Sequence, residues 1–158
     1  MQENIVREEL LALLKGKQAH KTFHQVIDNF PTAKINYKHP NLPYTMWHLL
    51  EHIRICQTDI LEYIKDPNYK WRKFPEEYWP DKTKVVNESE WNQTISQIDN
   101  EMKEFIQITQ NLSNDLTSSV PSNKKHSIIR EILIIADHNA YHLGQMSLLR
   151  QLFIDDSK

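Results

Sequence analysis

The chain has 158 residues with 19 basic and 21 acidic side chains scattered in both signs, a formal net charge of −2. That suits one domain with one real core, and it argues against nucleic acid or an anionic membrane surface as a partner. The single cysteine, Cys56, excludes an internal disulfide framework; "MQENIVREELLALLKG" lacks a secretion-signal pattern; and no apolar run nears the roughly 20 residues that cross a bilayer. A cytoplasmic protein with no membrane segment is expected.

With two glycines and apolar residues recurring every three to four positions, the chain reads as all-α, without strand signals of any length. The first predicted helix runs over 3–30, its inner face marked by Ala12, Gly16, Ala19, Phe23 and Phe30. "FPTAKINYKHPNLPY", with three prolines, ends it. A second spans 44–65, with Met46, Leu49, Ile53, Ile60 and Ile64 at helical spacing. "DPNYKWRKFPEEYWPDK" then carries three prolines and five aromatic residues. So apolar a connection, about 66–86, is expected to be an ordered flap over one end of the protein, either a satellite cluster or a pocket wall. A third helix covers 88–112, with Asn87 as its cap and Glu90 returning the bond. A fourth covers 127–153. Four apolar-striped helices without a sheet predict a four-helix bundle, whose centre can hold a site built from several helices.

Histidine is a costly core residue, yet "IADHNAYHLGQMSLLRQ" carries two, His138 and His142, four apart. At 100° per residue they lie about 40° apart, on the side of Ile128, Ile135, Met146 and Leu149. Two imidazoles one turn apart can share a metal ion, or each can hydrogen-bond within the core. The second helix repeats the spacing with His48 and His52, followed one turn on by Cys56. His52 lies nearer the centre of the apolar stripe than His48, which belongs at the rim. A third imidazole facing the first two would complete the three protein ligands of an open catalytic zinc site. Cys56 could add a thiolate or be plain core, and His20 could line the same cavity or lie at the surface. Glu131, Asp137 and Asp59 could orient an imidazole or pair with Arg54 or Arg150. Asn139 stands where a helical metalloprotease has its catalytic glutamate, so that chemistry is excluded.

Taken together, "PYTMWHLLEHIRICQTDIL", "PEEYWP" and "DHNAYHLGQ" resemble the DinB-like superfamily, from "LLKGKQAH" in helix one to the last helix. The resemblance implies a single domain over 1–158, a bundle of up-down-down-up order, and often a homodimer. It also implies a divalent metal on His52, His138 and His142, with zinc or nickel the expected ion; His48 matches none of the three positions. Trp79, like His20, His48 and Cys56, is a candidate for lining the pocket. Related members transfer low-molecular-weight thiols to electrophiles, and many have no established activity. A metal-dependent thiol transferase or small-molecule hydrolase is therefore one expectation, and a non-enzymatic metal-binding or stress-associated bundle is the other. An apolar second stripe on the last helix, Ile129, Leu133, Ala136, Ala140 and Leu143, needs cover from a neighbouring helix or from a second copy of the chain.

Overall fold

The computed structural model describes residues 2–16 and 19–155; Lys17 and Gln18, inside the "LLKGKQAH" segment, lie outside it, as do Met1 and 156–158. The chain is mostly helical, with α1 (Gln2–Lys15), α2 (Phe23–Ile27), α3 (Met46–Lys65), α4 (Glu88–Gln110) and α5 (Ile128–Asp155). A 3-10 turn covers Thr32–Lys34. Among the described residues no helix is long and apolar enough to cross a membrane.

The expected first helix over 3–30 is two helices. Gly16 has φ 70°, a left-handed conformation that ends α1 and that a side chain would strain. Thr22 then starts α2 afresh with a capping box to Gln25. The other boundaries fall within two residues of expectation. Thr45 caps α3, and Asn87 caps α4 with Glu90 returning the bond, as its sequence predicts. The C-terminal end of α4 is held by a buried cation: Arg7 of α1 donates to the carbonyls of Thr109, at 2.8 Å, and Asn114.

A hairpin also forms where no strand was expected, β1 (Ser119–Val120) against β2 (Asn123–Ser127), antiparallel across the Pro121–Ser122 turn. Two paired residues are too few to write a period-2 signature, and Val120 is nonetheless wholly buried.

Two apolar clusters make up the core. One gathers Val26, Phe30, Met46, Leu49, Ile53, Trp91, Ile98, Met146 and Phe153; the other gathers Leu10, Leu14, Leu61, Ile64, Phe105, Val120, Ile132 and Ile135. Both α3 and α4 run from the first cluster toward the second, and α5 runs back. Consecutive helices that point the same way need a connection returning along the length of α3, about 30 Å for 20 residues. Residues 66–86 are that connection. Tyr69 packs on the second cluster and Trp79 and Val86 on the first, and Asn36 pairs with Val86 through its carbonyl (2.7 Å) and N–H (3.1 Å). The second stripe of α5 is largely covered within the chain, with Leu143 buried and Ala136 packed in the second cluster; Leu133 stays exposed.

Because the Asn87 side chain satisfies an otherwise orphaned N–H at the start of α4, Asn87→Ala should lower the free energy of unfolding by about 1 kcal/mol. A urea titration showing no change in midpoint would contradict this role.

Candidate metal centre

The triad lies where the two core clusters meet. On α3 the apolar run breaks after Ile53 into Cys56, Gln57 and Asp59, all buried, before it resumes at Leu61. On α5 the corresponding gap holds His138, Asn139 and His142. Gln57, with no exposed surface, accepts from Asn139 Nδ2 at 2.8 Å and donates to the Ile98 carbonyl at 3.1 Å. That amide pair joins α3 to α5 and α4 behind the histidines. Both ends of the Gln57 amide find a partner, as a buried amide requires, while Asn139 Oδ1 is buried without one.

His52, His138 and His142 each turn a ring nitrogen toward one point, and these atoms all lie within 4.8 Å of one another. The outer nitrogens of two of them are engaged. His52 Nδ1–H donates to the Tyr78 carbonyl at 2.6 Å, and His142 Nδ1–H to the Gln145 amide oxygen at 2.7 Å. In a neutral imidazole this fixes the tautomer and leaves Nε2 as a lone pair facing inward. His138 Nε2 sits 3.1 Å from His52 Nε2. Two nitrogens this close need a proton or a cation between them.

Burial also keeps these rings uncharged. It pushes His52 down to about 4, against the Tyr78 carbonyl, which favours the charged ring, and with help from His142. His138 is likewise pushed down to about 4, first by burial and then by the two other histidines. Burial lowers His142 as well, opposed by Gln145. Near neutral pH the cluster is three neutral imidazoles, a donor set that could hold a divalent metal ion.

The flap supplies the outer wall. The Trp79 indole stacks on the His52 ring at 3.8 Å and 2° between planes, and Tyr44 stacks on the far face of Trp79 at 4.2 Å. Asp59 holds the flap in place. Its carboxylate, two turns beyond His52 on the same face of α3, accepts from Tyr69 Oη (2.7 Å), Tyr78 Oη (2.9 Å) and Arg72 Nε (2.9 Å). Through Tyr78 the same carboxylate fixes the carbonyl that orients His52. The triad opens into a cavity of about 620 Å³ walled by Tyr63, Tyr69, Trp71, Tyr141 and the flap.

Of the other candidate residues, Cys56 and Trp79 line this cavity, and His48 and His20 do not. His48 accepts at Nδ1 from the Thr45 hydroxyl (2.7 Å) and donates from Nε2 to the Asp81 carbonyl (3.2 Å), clamping the flap's far end. His20 lines a separate cavity of about 430 Å³ beside the break between α1 and α2. Burial, reinforced by Asp59, pushes the Cys56 thiol up to about 12, so it is no thiolate near neutral pH. The acidic residues take other partners than Arg54 and Arg150. Arg130 pairs with Glu131 at 2.5 Å, Arg72 with Asp59, and Arg54 with Glu51 at 2.7 Å. Asp137 is exposed. The sequence reading missed the Tyr78 carbonyl, Asp59's hold on the flap and Gln145. Only Gln145 had a readable signal, one turn beyond His142.

The lowered values set a pH dependence. A histidine titrating near 4 in the folded chain and near 6.5 in the unfolded chain takes its proton first when unfolded, so acid favours unfolding. The metal-free protein should therefore lose stability as pH falls from 6.5 to about 4 and level off below, with a shallower fall in His138→Gln. Urea midpoints at several pH values check this; equal slopes in both proteins would refute it.

No curated protein and no solved structure matches the chain. The sequence profile of the DinB superfamily matches residues 15–146, a span that holds His52, His138 and His142 together with the flap. With most of its length matched, the chain belongs to the DinB superfamily.

Proposed function

We propose that the protein is a metal-dependent enzyme acting on a small molecule, with His52, His138 and His142 as the ligands of one divalent ion, zinc or nickel. The observation that carries this is the convergence of three neutral imidazoles, two with tautomers preset by Tyr78 and Gln145, at the head of a solvent-reachable cavity. A site whose ion only tied α3 to α5 would have no need of that cavity. Bound there, the ion would supply a Lewis acid that lowers the pKa of a thiol or water ligand.

The chain's own residues do the rest. Tyr78 and Gln145 hold the imidazoles in register, and Trp79 covers the His52 ring and keeps bulk water from that side. Cys56 stays a thiol, so among the described residues no thiolate stands beside the triad, and the nucleophile comes with the substrate or solvent. Thiol transfer, from a low-molecular-weight thiol to an electrophile, and hydrolysis are the two reactions that fit.

The same reading takes the whole chain as one cytoplasmic domain, a four-helix bundle of up-down-down-up order. The shared direction of α3 and α4 and the reverse direction of α5 support that order. It also takes the protein as a homodimer with separate metal sites; the exposed Leu133 and Leu148 on α5 are a surface such a partner would cover.

Zinc and nickel titrations by calorimetry should give one ion per chain. His52→Ala, His138→Ala and His142→Ala should each abolish binding, and His48→Ala should leave it intact. Loss of binding in His48→Ala alone would overturn the ligand assignment. A conjugation screen of common thiols with electrophiles, run beside an ester-hydrolysis screen, should show turnover that the three variants lose. A sedimentation mass of 18.9 kDa that stays unchanged on concentration would exclude the dimer.

A further inference from the structure

The cavity beside the triad has walls that metal binding does not explain. Trp71, Phe74 and Tyr141 are 65%, 77% and 64% exposed, and all three line this one cavity. Single exposed aromatics need no explanation, but three converging on one mouth mark a recognition surface. Further in, Tyr63, Tyr69 and Trp71 form a cluster with ring centroids 4.8, 4.9 and 5.4 Å apart and mutually tilted planes.

The polar tips of the inner tyrosines are tied back. Tyr63 Oη bonds His126 Nδ1 at 2.8 Å, and Tyr69 and Tyr78 donate to Asp59. These inner tyrosines therefore present ring faces and C–H edges instead of free hydroxyl groups. An aromatic cage can attract a cation through its ring faces, and a free carboxylate nearby would add to that attraction. Here Asp59 is paired with Arg72, and Glu131 with Arg130. At about 620 Å³ the space suits a small molecule and not a helix or peptide strand.

We propose that this cavity binds a small planar aromatic molecule, its ring system held among Tyr63, Trp71 and Tyr141 and its reacting group turned toward His52, His138 and His142. The direction of the reacting group rests on the metal-centre reading; the aromatic preference does not.

The test is equilibrium dialysis of 2-naphthoate and of its saturated counterpart, decahydro-2-naphthoate, against the metal-free protein. The two share charge and carbon skeleton but differ in flatness and π surface. Naphthoate should bind about tenfold more tightly, the worth of roughly two aromatic contacts beyond simple burial. Trp71→Ala and Tyr141→Ala should each weaken it about fivefold or more, and Trp71→Phe should restore most of it. All three variants should keep the zinc stoichiometry, and Trp71→Phe should also keep the thermal midpoint. Equal affinity for the two acids, or undiminished naphthoate binding in Trp71→Ala, would overturn the proposal. So would a shift from dimer to monomer in Trp71→Ala without naphthoate binding by the wild type, which would assign the surface to a second copy of the chain. Wild-type protein that binds naphthoate selectively but no zinc would remove the metal reading and keep this one; zinc binding without aromatic preference would do the reverse.

Discussion

The carboxylate of Asp59 is the group on which the site depends. It is 5% exposed, and a buried carboxylate costs several kcal/mol unless it is paired and hydrogen-bonded. All of its partners, Tyr69, Tyr78 and Arg72, come from the flap. Burying Asp59 and closing the flap are therefore one event, and that event delivers the Tyr78 carbonyl to His52 and the Trp79 ring to its face. The same contacts that bury a charge on α3 set the tautomer of an imidazole two turns earlier.

The flap itself follows from chain direction. With α3 and α4 both running from one core cluster to the other, the connection must retrace α3, and its aromatic residues fasten it along the way. It fills both roles that its composition allowed, packing Tyr69 and Trp79 onto the core clusters while the same rings wall the cavity. At the far end His48 holds it through the Asp81 carbonyl. Two histidines one turn apart on α3 thus serve different purposes, His48 bracing the flap and His52 facing α5.

The break in the apolar core between Ile53 and Leu61 shows how the protein accommodates so many polar groups inside. Asn139 donates to Gln57, Gln57 also reaches the Ile98 carbonyl, and His52 and His142 have fixed outer partners in Tyr78 and Gln145, while Asn139 Oδ1 and His138 Nδ1 are buried without a partner. A buried polar network that is paired in this way rigidifies its surroundings. A metal site needs that rigidity, because its ligands must hold their positions before the ion arrives.

Much of this was legible in the sequence, because helices and caps are written locally. Three- and four-residue periodicity placed α3, α4 and α5, the Asn87–Glu90 pair marked the start of α4, and 100° per residue put His138 and His142 on one inward face. It also put His52 ahead of His48 on α3. Gly16 was visible but ambiguous, since a glycine inside a periodic run is tolerated as often as it terminates a helix, and only the left-handed backbone at that residue decides. The β1–β2 hairpin was too short to leave a pattern. What the tertiary structure alone decided is everything that joins residues distant in the chain: the Tyr78 carbonyl against His52, Asp59 against three flap residues, and the aromatic cavity. A backbone carbonyl has no residue type to read, and a hydrogen bond across 26 positions depends on how the flap returns along α3, which is settled by packing and not by spacing.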